Sequence, residues 1–299
     1  MTEKCVGKVA VVTGASRGLG RGIAIRLAAE GAKVVVTGRT LRPGSHELPG
    51  SLEETVGRIE DIGGEAVAIQ ANLADPSFDR ADILRAAADS FGRDVDILVN
   101  NAAAPREFQH RFQDVPLESF LQTVEVNGWA AWELTKLVAP GMARAGRGWV
   151  VNISSRAAGP PVGPPFRPSP VGSQTLYGST KAMLDRITAG AAMDLYGDGI
   201  CVNALAPEAA VATENASRLL DLPPEMCEPD ETFAEAALAL CTCDRDFTGK
   251  VTYSLSLLVD LNRPVRTLDG KQLVEGWQPQ EIDRARLRPG YIRSSSGRA

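Results

Sequence analysis

The feature that most limits what this chain can fold into is its alternation. Seven short apolar runs recur: "KVAVVTG" (8–14), "KVVVTGR" (33–39), "AVAIQANL" (66–73), "DILVNNA" (96–102), "GWVVNISS" (148–155), "GICVNALAP" (199–207) and "VTYSLSLLV" (251–259). Longer helical stretches lie between them, such as 20–30, 52–62, 76–91, 117–145 and 177–196. Several runs are apolar at consecutive positions rather than at every second one, as strands are when helices cover both faces of a sheet. A repeated strand–helix order implies right-handed crossovers. The expected fold class is α/β: a doubly wound parallel sheet of about seven strands with helices on both faces.

Three segments break the pattern. "TLRPGSHELPGS" (40–51) reads as a long loop after the second strand. "GPPVGPPFRPSP" (159–170) carries prolines at 160, 161, 164, 165, 168 and 170. Each lacks an amide donor and fixes φ, so the segment is neither helix nor central strand. Residues 261–299 are polar and arginine-rich. The expected division is a single domain over 1–262 and a tail over 263–299, wrapping the domain or a neighbour.

Charge and cysteine usage narrow the classes of function. Net charge is −5 and the isoelectric point about 5.3, which points to neither nucleic acid nor an anionic membrane surface. No uncharged apolar run approaches the roughly 18 residues needed to span a bilayer. The start lacks a basic region, a long apolar stretch and a small-residue cleavage site, so a cytoplasmic protein is expected. Five scattered cysteines (Cys5, Cys201, Cys227, Cys241 and Cys243) read as free thiols of a reducing compartment. Cys241 and Cys243 form a C-x-C, but neither of the two histidines is near in sequence, so no metal site is expected.

"TGASRGLG" (13–20) directly follows the first strand and opens the first helix, where amide groups and the helix dipole favour an anion. Gly14 permits the tight turn, Gly18 close backbone approach, and Gly20 close helix–strand packing. Ser16, Arg17 and Leu19 complete the loop. At the end of the second strand, where an acidic side chain would bond the ribose hydroxyl of NAD, the chain reads "TGRT". Gly38 has no carboxylate to repel a phosphate, and Arg39 offers a fork of donors, with Arg17 in reach of the same group. NADP(H) is favoured over NAD(H). Tyr177 and Lys181 are four residues apart, on one helix face; an ammonium there pulls a phenol toward the working range.

Taken together, "TGASRGLG", "VNNA" (99–102), "EVNG" (125–128), "NISS" (152–155) and "YGSTK" (177–181) resemble the short-chain dehydrogenase/reductase family in its compact single-domain branch, over about residues 6–260. The resemblance implies a Rossmann-like catalytic domain and an oxidoreductase that interconverts a ketone or aldehyde and an alcohol by hydride transfer. It implies Tyr177 as general acid/base, Lys181 as its tuner and ribose clamp, Ser155 as the donor to the substrate oxygen, and Asn127 as a helix-kinking member of a proton relay. Beyond the glycine loop it places Asn72, Leu73, Asn101, Ala102, Pro207, Val211 and Thr213 along the cofactor. It further implies a small-molecule partner and a homodimer or homotetramer, which the small residues of "ITAGAAM" (187–193) would suit.

The chain departs from that pattern at Ala103, where the family carries glycine, at Asn72, where an aspartate is usual, and at Glu208, where a glycine follows the proline. The gap between Ser155 and Tyr177 is also long. Two loops and the segment 208–232 are expected around the substrate, bringing Arg106, Phe108, His110, Arg111, Phe112, Phe166 and Arg167. Two alternatives remain open: an epimerase or dehydratase of nucleotide sugars, and an NADPH-binding redox sensor. Too few residues follow the last strand for the substrate domain of the former. The sensor needs only the binding loop, not the four catalytic groups.

Overall fold

The sheet is built from strands whose two faces are both apolar. In the computed structural model, which describes residues 3–104, 111–166, 172–211, 213 and 227–287, β1 (Val9–Thr13) is buried along its whole length. Val9 and Val11 pack on one side and Ala10 and Val12 on the other, following the two-residue repeat of a strand. β2 (Lys33–Gly38), β3 (Glu65–Gln70), β4 (Ile97–Asn100), β5 (Gly148–Ile153), β6 (Ile200–Ala206) and β9 (Val251–Tyr253) complete a parallel sheet of order β3-β2-β1-β4-β5-β6-β9. Its registers run from Val9 opposite Lys33 to Ala206 opposite Tyr253. A separate parallel pair joins β7 (Ala210–Val211) to β8 (Cys227–Glu228).

Helices α1 (Gly18–Ala29), α2 (Leu52–Asp61) and α7 (Asp230–Leu240) cover one face, with Ile23, Leu27, Ile59, Phe233 and Leu238 in its core. Helices α3 (Ala81–Phe91), α5 (Ala130–Ala145) and α6 (Thr175–Leu195) cover the other, through Ile83, Leu134, Val138, Met142 and Ala192. The strand order reverses between β1 and β4. In open α/β sheets ligands bind outside the carboxyl ends of the strands at that switch.

Three stretches differ from the sequence reading. The seventh strand does not run to 259: pairing with β6 stops at Tyr253, and Ser254–Asp260 forms helix α8. Leu255 and Leu258, at helical spacing, are buried, and the hydroxyls of Ser254 and Ser256 bond buried carboxylates rather than a strand neighbour. Helix α7 shows no amphipathic period in the sequence, because "ETFAEAALAL" is apolar nearly all round; Thr232–Leu240 are all buried. The stretch 117–145 is one helical path but not one helix. α4 (Leu117–Val124) passes through a π turn, Glu125–Trp129, into α5.

Residues 263–287 lie against the face of α1 and α7. Val265 is fully buried, and the Gln278 amide donates to the carbonyls of Val265 (2.9 Å) and Val274 (2.8 Å). Arg263 meets Glu235 at 2.6 Å, and Glu235 also meets the buried Arg26 at 2.8 Å. Arg106, Phe108, His110 and Arg167, together with 214–226 and 288–299, fall outside the described residues.

Candidate active site

A cleft of about 540 Å3 opens at the carboxyl ends of β1, β2, β4, β5 and β6. Its floor is the glycine loop. Gly14 and Gly18 have φ of +66° and +54°. A Cβ on Gly20 would come within 2.4 Å of both the Asn101 amide nitrogen and the Gly14 carbonyl, so only glycine fits there. Helix α2 is capped from within, Ser51 accepting from the Glu54 amide at 3.1 Å with Glu53 and Glu54 in its first turn. Helix α1 has neither a side-chain cap nor an acidic first turn. A helix start with neither side-chain cap nor acidic residue, opening on a glycine turn, fits a dinucleotide pyrophosphate.

Ser16, Arg17, Gly18, Leu19, Arg39, Asn72, Leu73, Asn101, Ala102, Ser155, Tyr177, Lys181, Pro207 and Thr213 all line this cleft. Val211 is buried beside it, and Asn127 is 1% exposed behind it. Arg39 is exposed on the cleft wall after β2, and Gly38 contributes no side chain there. Arg17 differs from expectation. Its guanidinium donates to the carbonyls of Pro49 (3.0 Å), Leu48 (3.3 Å) and Gly50 (2.8 Å) and to the Thr40 hydroxyl (3.1 Å). It thus holds the 40–51 loop against the glycine loop, and that loop adds His46 and Leu48 to the cleft wall. The His46 Nδ1 accepts from the Leu48 amide at 3.0 Å.

At the other end, helix α6 carries Tyr177 and Lys181. The Lys181 Nζ donates to the Ile153 carbonyl at 2.7 Å and stands 5.7 Å from the centroid of the Tyr177 ring. Lys181 is 2% exposed. Asp185 continues the same face, and burial pushes its carboxyl up to about 6 against the opposing Ser154 hydroxyl and Lys181 charge. Ser155 caps a short turn, its Oγ accepting from the Ala157 amide at 3.2 Å. Asn127 sits in the π turn, a break often found at functional sites. Its Oδ1 accepts from the Ala104 amide (2.9 Å) and its Nδ2 donates to Thr180 Oγ1 (3.0 Å), next to Lys181.

Several supporting residues were not singled out from sequence. The Thr13 hydroxyl accepts from the amides of Asn101 and Ala102, both at 3.0 Å, which fixes the turn after β4. Arg80 donates to the Leu73 carbonyl (2.8 Å) and pairs with Glu125 and Glu133, both at 2.5 Å, linking the turn after β3 to the π turn. Only long-range contact identifies them. The departures also find places. Ala103 is exposed on the cleft wall. Asn72 Oδ1 accepts weakly from the Ala74 amide at 3.3 Å.

Glu208 is 3% exposed; its Oε2 accepts from the Ser256 hydroxyl at 2.7 Å, while its amide donates to Ser254 Oγ at 3.0 Å. Glu228 accepts from Ser254 and Thr232, each at 2.8 Å. Burial pushes Glu228 up to about 7 against those hydrogen bonds. Among the described residues, no cluster of His, Cys, Asp or Glu is grouped for a metal, and no helix is long and apolar enough to cross a membrane.

Comparison with known proteins agrees with this fold. The family model described as "short chain dehydrogenase" matches residues 8–221. The 7alpha-hydroxysteroid dehydrogenase of Escherichia coli K12 is 31% identical over 248 residues, covering 79% of this chain and 88% of that protein. The 3-oxoacyl-[acyl-carrier-protein] reductase of Synechocystis is 34% identical over 213 residues, covering 71% and 77%. A crystal structure of a 3-oxoacyl (acyl-carrier-protein) reductase from Agrobacterium tumefaciens with NADP bound superposes with a TM-score of 0.69 at 28% identity, covering 84% of this chain and 95% of that one. With the matched model spanning most of the chain and the sheet order and glycine loop in place, this chain is an oxidoreductase that belongs to the short-chain dehydrogenase/reductase family.

Proposed function

We propose that the protein is an NADP(H)-dependent oxidoreductase that interconverts a ketone or aldehyde and an alcohol. The observation that carries this reading is that Tyr177, Lys181 and Ser155 share one cleft with the glycine loop and Arg39. When bound, the nicotinamide supplies or accepts the hydride. The chain supplies the rest. Tyr177 holds the proton that neutralises the developing alkoxide, and takes it back when the alcohol is oxidised. Ser155 donates a second hydrogen bond to the same oxygen. Lys181 is the cationic neighbour of Tyr177 and would hold the nicotinamide ribose when the cofactor is bound. Asn127 orders the backbone beside Lys181 through Thr180, within the relay that returns the proton to solvent.

The preference for NADP(H) rests on Arg39 at the adenosine end, where no carboxylate opposes a 2′-phosphate, and is supported by relatives solved with NADP bound. The relatives' printed activities, on hydroxysteroids and 3-oxoacyl groups, support a secondary alcohol or ketone as substrate class. The test pairs fluorescence titrations of NADPH and NADH with turnover of a ketone panel by wild type and Tyr177→Phe. Tenfold or greater selectivity for NADPH, about 1.4 kcal/mol, is expected. Turnover by the phenylalanine variant at the wild-type rate would sink the acid–base assignment, and equal affinities would sink the NADP(H) preference.

A further inference from the structure

The cysteines that the site does not use are not equivalent. Cys201 opens β6 at the end of the sheet away from the cleft, in register with Trp149 of β5. Cys243 follows α7 in a turn that returns to the same strand. Cys201 Sγ lies 3.6 Å from the carbonyl oxygens of Asp244 and Arg245. Cys243 Sγ lies 3.3 Å from the Phe247 carbonyl, and Asn203 Nδ2, two residues along β6 from Cys201, reaches it at 3.8 Å. The two thiols therefore sit on neighbouring backbone, Cys201 Sγ lying against the carbonyl of the residue that follows Cys243. The Trp149 indole N–H holds the Cys243 carbonyl at 3.0 Å, so the turn is pinned beside the strand.

The electrostatics of the two sulfurs diverge. The neighbouring Cys243 thiol, with the guanidinium groups of Arg147 and Arg245, holds Cys201 below the usual thiol value despite burial and the nearby Asp244. Cys243 is pushed up by its Cys201 neighbour and by burial. Cys5 and Cys241 are both pushed up by burial, which outweighs the cationic groups near them, Cys5 to about 11. A favoured thiolate beside a second thiol and cationic groups is the environment in which a disulfide forms selectively. Cys243 is partly exposed, which gives a small oxidant a route to the pair.

We propose that Cys201 and Cys243 form a reversible redox site, oxidised by a peroxide to a disulfide that staples β6 to the turn after α7. The Cys201 thiolate attacks one peroxide oxygen and the O–O bond breaks. The sulfur becomes a sulfenic acid, and the departing hydroxide takes up a proton as water. Cys243 sulfur then attacks the sulfenic sulfur. The S–S bond forms, the S–O bond breaks, and the hydroxide leaves with the Cys243 proton as a second water. Two thiols and one hydrogen peroxide give one disulfide and two waters, two electrons passing from sulfur to oxygen. A dithiol reverses the reaction by exchange.

The experiment treats the full chain with hydrogen peroxide, alkylates the remaining thiols, and reads intact mass and peptide maps with and without dithiothreitol. The expected result is a loss of about two mass units, reversed by dithiothreitol, with a cross-link between the Cys201 and Cys243 peptides. The link persists in Cys227→Ser and Cys241→Ser and disappears in Cys201→Ser and Cys243→Ser. In Cys243→Ser, dimedone labels Cys201. If a serine variant fails to fold, fragment ions from the wild-type cross-link locate the bonded sulfurs directly. No cross-link under excess peroxide, or one through Cys5, Cys227 or Cys241, overturns the proposal.

Discussion

Lys181 stands over Tyr177, its Nζ 5.7 Å from the ring centroid, and is kept there by a 2.7 Å hydrogen bond to the Ile153 carbonyl. The pair is therefore set by a strand end as much as by helical spacing. Replacing Lys181 with Ala removes both the charge beside the phenol and the anchor to β5. The rate of carbonyl reduction is expected to fall by about 10²-fold or more, the usual scale of a lost acid–base contribution. Cofactor binding weakens too, and the limb of the alcohol-oxidation pH profile moves to higher pH. Lys181→Arg does not rescue, since a planar fork cannot replace a compact ammonium in this buried slot. Steady-state kinetics against pH check this. An unmoved profile with unchanged affinity would remove Lys181 from the mechanism.

Arg39 and Arg17, both on the cleft wall, are expected to have separable roles. Arg39→Ala is expected to weaken NADPH binding by about 10- to 100-fold, the worth of a charged hydrogen bond of roughly 1.5–3 kcal/mol, while NADH binding stays the same. Arg17→Ala releases the carbonyls of Leu48, Pro49 and Gly50. Its expected signature is faster limited proteolysis within 41–48, with both cofactors weakened together. A selective loss of NADPH in Arg17→Ala, with the loop still protected, would return Arg17 to direct phosphate contact.

Arg80 joins two walls of the cleft. Its partners Glu125 and Glu133 keep 30% and 32% of their side-chain exposure, while Arg80 keeps 5%. Arg80→Met is therefore expected to cost about 2 kcal/mol, below the 3–5 typical of a fully buried pair. Because the π turn carries Asn127, the dissociation constant of the cofactor should rise as well. Denaturant unfolding and a binding titration test this; a stability loss with unaltered binding would separate Arg80 from the site.

Glu228 makes stability depend on pH. Its carboxyl is pushed from 4.5 up to about 7 by burial. Between those values the folded protein holds a proton that the unfolded chain has released, so stability falls as pH rises from about 4.5 to about 7, by roughly 3 kcal/mol at most. Asp185 and Glu231, pushed up to about 6 and about 7, act in the same direction. The difference between wild type and Glu228→Gln isolates the Glu228 share: the variant should lose part of the slope in denaturant unfolding across that range. Superimposable slopes would show that Glu228 is ionised when folded.

Much of the molecule was legible in the amino-acid sequence because its signals are local. The consecutive apolar residues in 9–12 and 34–36 and the alternation with helices set the parallel sheet. Gly14, Gly18 and Gly20 marked a turn that backbone sterics reserve for glycine. The pair at 177 and 181 was visible because helical spacing is a local rule.

What only the tertiary structure decided depends on groups far apart in the chain. "VTYSLSLLV" has strand composition throughout, yet it turns helical at Ser254 because buried carboxylates from 208 and 228 take its hydroxyls. Helix α7 has no polar face to betray its period, since both sides are buried. Arg17 carries the right charge for a phosphate, and only the folded path of 40–51 brings carbonyls to its guanidinium. Local sequence sets which conformations are cheap, and burial and long-range hydrogen bonding choose among them.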